Sequence, residues 1–73
     1  KKFDIIFMDP PYKEKNLVEL LEKILQSNIL NKNGIIIIHR NKREKDHYPS
    51  NFNIIEEKIY GISKIIFGKN YLN

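Results

Sequence analysis

Cysteine is absent from the 73 residues, which excludes a disulfide framework and any thiolate metal site and is compatible with a cytoplasmic location. Long apolar runs are missing too. The longest, Ile5–Met8 and Ile35–Ile38, fall far short of the ~20 residues that a membrane-spanning helix needs, and of a signal sequence. No Met stands at position 1 and the chain opens directly on a candidate strand, so a fragment of a longer protein is expected. Neither an internal repeat nor a low-complexity segment is present. A chain this short forms at most one small domain and buries only about 60% of the surface it exposes when unfolded.

What is present is led by the stretch Phe3 to Tyr12, FDIIFMDPPY. The apolar run Ile5–Met8 reads as a strand covered on both faces, as in a parallel sheet. It must end near Asp9, because Pro10 and Pro11 have no N–H for a ladder and push the preceding residue toward extended geometry. Ligands of open α/β sheets gather beyond the carboxyl ends of the strands. Asp9 and Tyr12 therefore stand where chemistry would be placed.

The order Asp-Pro-Pro-Tyr suits a flipped-out base with an exocyclic amino group, which offers two N–H donors and a flat face. Asp9 can accept one donor and the Pro10 carbonyl, held by the fixed φ of the two prolines, the other. With both hydrogens engaged, the nitrogen lone pair leaves conjugation and can be aimed at an electrophile. Tyr12 supplies a stacking plate, worth about 1–3 kcal/mol in base recognition. The competing explanation is a plain strand-terminating turn, since Asp, Pro and Tyr all occur in turns for local reasons.

These residues resemble the catalytic motif of S-adenosylmethionine-dependent amino-group methyltransferases. They are most similar to the bacterial 16S ribosomal RNA guanine-N2 methyltransferases of the RsmD family. The helix over Leu17–Gln26, the Gly-led strand Gly34–Ile38 and the Tyr60-Gly61 turn before Ser63–Phe67 follow in the family's order. The resemblance implies the C-terminal half of a Rossmann-like methyltransferase sheet: two parallel strands joined by a crossover helix, then an antiparallel hairpin. Residues 1–73 would be a single partial domain. It also implies that Asp9, Pro10, Pro11 and Tyr12 form the catalytic motif, with S-adenosylmethionine as methyl donor and 16S rRNA or an assembling 30S subunit as partner.

The cofactor half is expected to be missing. Its site needs a glycine-rich turn between a strand and a helix, and Gly34, Gly61 and Gly68 have no such context. The fragment alone is expected to be inactive. In the resembled fold the first strand lies mid-sheet, so Phe3–Met8 is expected to expose an edge through which copies of the chain self-associate or swap elements.

Along the rest of the chain, Asn16 and Glu19 form a capping-box pattern. Leu17, Leu20, Leu21, Ile24 and Leu25 recur at helical spacing, widened by Val18, and form a core-facing stripe. Asn31–Gly34 reads as the turn into the second strand, Ile35–Ile38. Parallel strands end on the same edge, so His39 to Arg43 should emerge beside Asp9. Two readings of that basic cluster stand together. Arg40, Lys42 and Arg43 could hold RNA phosphates, or they form a solvated loop partly cancelled by Glu44 and Asp46. His39, where the family often has an acidic residue, reads as an edge histidine rather than a metal ligand or base. Phe52–Tyr60 and Ser63–Phe67 form the hairpin, with one wetter face on the first of them, and Gly68 onward forms a tail. Tyr60 either supports the pocket or is a packed strand-end aromatic.

The net charge of +4 and pI of about 9.4 suggest an anionic partner. Two other acceptors fit the same chemistry, DNA adenine N6 and a protein glutamine, although glutamine enzymes commonly begin the motif with Asn. A basic RNA-binding module without chemistry is the rival from another class. It leaves Asp9 unexplained, because a carboxylate beside phosphates is repulsive.

Overall fold

The computed structural model describes residues 1–11 and 16–71. The chain runs β1 (Phe3–Met8), α1 (Leu17–Gln26), β2 (Leu30–Asn41), β3 (Phe52–Tyr60) and β4 (Ser63–Asn70). The strands form one sheet in the order β1-β2-β4-β3. β1 and β2 pair in parallel, while β4 is antiparallel to both β2 and β3. The crossover unit and terminal hairpin expected from the sequence are therefore present. β4 extends to Asn70, so Gly68–Asn70 belongs to the strand and not to a tail.

α1 forms because its apolar residues fall on one face. Leu17, Leu21 and Leu25 are buried, with Glu19 in the first turn and Lys23 in the last, as the helix dipole favours. The expected capping box does not form, since the Asn16 side chain makes no capping hydrogen bond. The helix stops where Asn28 takes a positive φ of 61°, the left-handed conformation that commonly ends helices.

The leucines pack on Leu30, Ile36, Ile38, Phe52 and Ile66, and Ile6, Met8, Ile24 and Tyr48 close the margin of this core. Tyr48 stacks on Phe52 with ring centroids 5.7 Å apart. Burial, reinforced by the charges of Asp46 and Glu57, pushes the Tyr48 phenol up to about 12. Gly68 lies beneath the Phe52 ring so closely that a Cβ there would overlap the ring's Cζ. The hairpin turns at Gly61, whose φ of 57° suits the tight turns that join twisted antiparallel strands.

Three expectations are corrected here. The run Ile5–Met8 is covered on one face only: Ile6 and Met8 pack on the core, but Ile5 and Phe7 are 62% and 61% exposed. Period-two alternation sends them to the face opposite α1. The Asn31–Gly34 segment is a bulge inside β2 rather than a turn before it. Phe3 pairs with Leu30 and Ile5 with Ile35, so Asp4 alone on β1 lies opposite residues 31–34 on β2, and Asn33 takes a φ of 67° to absorb the excess. β3 is exposed on both faces after Phe52, because it lies at the sheet's far edge.

Candidate active site

The site is assembled where β1, β2 and β4 end together. Met8 pairs with Ile38, so the next residues, Asp9 and His39, emerge side by side as the parallel arrangement requires. His39 Nδ1 lies 3.1 Å from Asp9 Oδ1, and its Nε2 lies 2.8 Å from the Ser63 hydroxyl. An ionised carboxylate only accepts, so the ring carries its proton on Nδ1 and donates to Asp9. In the neutral ring, Nε2 then accepts from Ser63. Among the described residues this leaves Asp9 Oδ2 without a hydrogen-bond partner. An open cleft of about 160 Å³ lies here, lined by Asp9, Pro10, His39, Arg40, Asn41, Ile62 and Ser63.

Arg40, the next residue on β2, points the other way. Its side chain is buried and donates from Nε and Nη2 to the two carboxylate oxygens of Asp46, both at 2.9 Å. Glu44 lies 3.5 Å from the same guanidinium, and Nη1 donates to the Pro11 carbonyl at 3.1 Å. The Asp46 hydrogen bonds raise the Arg40 pKa against the opposing effect of burial. The surface phosphate contact expected of Arg40 is thus replaced by a buried clamp on the Asp-Pro-Pro turn. The acidic residues that were expected to dilute the basic cluster are the ones that draw Arg40 inward.

Lys42 and Arg43 stay exposed in the turn after β2, next to Asn41 of the cleft wall. Tyr60 pairs with Ser63 at the hairpin end and is 61% exposed, so it is not a packed strand-end aromatic. Tyr12 lies outside the described residues. Sequence reasoning missed Ser63 and underrated His39. The usable signal was the hairpin itself, since an antiparallel partner for β2 brings the first residue after Gly61-Ile62 against the end of that strand.

Of the glycines, Gly34 lies in the β2 bulge against Leu30, Gly61 in the hairpin turn and Gly68 under Phe52. None leads a strand into a helix. The described residues therefore lack the glycine-rich strand-to-helix turn that a nucleoside cofactor site of this fold uses.

A family model described as Conserved hypothetical protein 95 matches residues 1–69. The chain belongs to that family. An uncharacterized methylase of Rickettsia prowazekii is 33% identical over 66 residues, covering 90% of this chain and 28% of that protein. A ribosomal RNA small subunit methyltransferase D of Buchnera aphidicola is 30% identical over 59 residues, covering 81% and 31% respectively. The solved structure of a conserved hypothetical protein from Streptococcus pyogenes superposes with a TM-score of 0.81 at 31% identity, covering 94% of this chain and 44% of that one. The chain thus spans less than a third of the curated relatives it matches. Membership of the Conserved hypothetical protein 95 family bears out the RsmD-like resemblance, and the fold is a portion of a Rossmann-like methyltransferase sheet.

Proposed function

We propose that this chain supplies the acceptor side of an S-adenosylmethionine-dependent methyltransferase acting on the N2 amino group of a guanine in small-subunit ribosomal RNA. The observation that carries the reading is a tethered carboxylate, Asp9, beside Pro10 in the lining of an open cleft on the carboxyl edge of the sheet. Asp9 Oδ2 and the Pro10 oxygen accept the two amine hydrogens. The nitrogen lone pair is thereby oriented without a covalent intermediate, by positioning and fixed charge. The methyl donor supplies the electrophile and is held by residues beyond those described. Tyr12 stacks on the base, and Lys42 and Arg43 contact backbone phosphates beside the cleft. The name of the Buchnera relative supports a small-subunit RNA substrate.

In this reading the 73 residues alone transfer no methyl group, and the complete enzyme works in the cytoplasm on 16S RNA or an assembling 30S subunit. Among the described residues, no helix is long and apolar enough to cross a membrane. The test is transfer of labelled methyl groups from S-adenosylmethionine to undermethylated 30S subunits by a full-length protein carrying this segment. Label is expected on guanine N2, and Asp9→Ala is expected to abolish it. Transfer undiminished by that substitution would remove Asp9 from the mechanism. A folded, cofactor-binding protein that ignores 30S subunits would point instead to a DNA adenine or a protein glutamine as acceptor.

A further inference from the structure

We propose that His39 is a positioning residue for Asp9, and that Ser63 in turn fixes the imidazole, so that the β3–β4 hairpin is coupled to the acceptor cleft. The inference rests on the methyl-transfer reading above and adds residues that the Asp-Pro-Pro-Tyr motif does not contain. The two prolines restrain the backbone after Asp9, but its carboxylate turns on side-chain torsions of its own and is 61% exposed. Among the described residues, the hydrogen bond from His39 Nδ1 is its one tether. A ring held by one nitrogen can still swing. The Ser63 hydroxyl on Nε2 removes that freedom.

Both ring nitrogens are therefore engaged, one by Asp9 and one by Ser63. In the neutral ring the Nε2 lone pair is directed at the Ser63 hydroxyl, so His39 acts on the acceptor through Asp9. Its effect is directional: with Oδ1 occupied, an incoming amine meets Oδ2, and the carboxylate plane is set before the acceptor arrives. Three strand ends contribute one group each, with Asp9 following β1, His39 on β2 and Ser63 opening β4. A shift of the hairpin would move the carboxylate.

The test uses the full-length protein with 30S subunits and compares His39→Ala, His39→Asn and His39→Gln. An Asn amide nitrogen reaches the place of Nδ1, and a Gln amide nitrogen that of Nε2. His39→Ala is expected to lower kcat by roughly 10- to 100-fold, the scale of a misplaced reacting group, with KM for S-adenosylmethionine and the thermal midpoint unchanged. His39→Asn should recover most of the loss and His39→Gln little of it. A wild-type kcat in His39→Ala, or rescue by Gln but not Asn, would overturn the proposal. If the unsubstituted protein transfers nothing, the methyl-transfer reading fails by itself, and that result is read before any variant. The tether has a readout that needs no turnover. Nitrogen-15 imidazole spectra of the same protein should move at Nδ1 in Asp9→Asn and at Nε2 in Ser63→Ala; signals unmoved by both overturn the tether.

Discussion

The two faces of this sheet carry similar side chains and differ in what covers them. Under α1, Ile36, Ile38 and Ile66 have no exposed surface. On the opposite face, Ile35 and Ile37 of the same strand are only half-buried, and Ile5 and Phe7 beside them are exposed. The contrast extends to the polar residues that end β2, because Arg40 continues the covered face and His39 the bare one. Residue type alone does not decide burial here. What lies over each face does: α1 covers the apolar residues of one, Asp46 holds Arg40 on the same side, and His39 stays at the cleft.

The sharpest way to break the comparison is to substitute those neighbours. Arg40→Met should destabilise the 73-residue chain by about 3–5 kcal/mol, because Asp46 is left buried without its cation. His39→Ala on the other face should change stability by less than about 0.5 kcal/mol. Urea denaturation of both variants reads the difference, and equal effects would mean that the faces are not distinct. Ile38→Ala and Phe7→Ala repeat the comparison with apolar groups. The first should cost about 2–5 kcal/mol by opening a cavity, the second no more than an ordinary surface change.

Gly68→Ala probes the covered face from within. Forcing a methyl group against the Phe52 ring should cost about 1–3 kcal/mol, and Gly68→Ala combined with Phe52→Leu should lose less than the separate effects added together. A smaller effect is expected from Tyr48, at the margin of the same core. Its phenol is held protonated in the fold up to about 12. The stabilisation is therefore complete below the ordinary value near 10 and is lost as pH rises from there toward 12. Tyr48→Phe should flatten that part of the stability curve, and a curve unchanged by the substitution would remove Tyr48 as its cause. On the bare face, Phe7→Lys should leave stability nearly unchanged but weaken self-association through the open β1 edge. A strictly monomeric unsubstituted chain across a wide concentration range in sedimentation would end that expectation.

Much of this architecture was legible in the sequence for physical reasons. The spacing of Leu17, Leu21 and Leu25 fixes the helix, two prolines end β1, and parallel pairing brings His39 to Asp9. The faces were not legible. A run such as Ile5–Met8 looks the same whether one side or both are covered, because covering depends on distant elements. The inward turn of Arg40 depends on Asp46, six residues later, across a loop with no periodic signal. Ser63 joins the site only once the hairpin is laid against β2.

The alternation of His39 and Arg40 also bears on how the chain finds its alignment during folding. Residues 35 to 38 are four consecutive isoleucines, so hydrophobicity cannot distinguish the correct pairing from a slip of one position, which would reverse every side chain. A slipped strand would carry an imidazole into the core and strand a guanidinium away from Asp46. The penalty for misalignment is therefore electrostatic. The two polar residues at the end of an otherwise uniform strand act as its proofreaders.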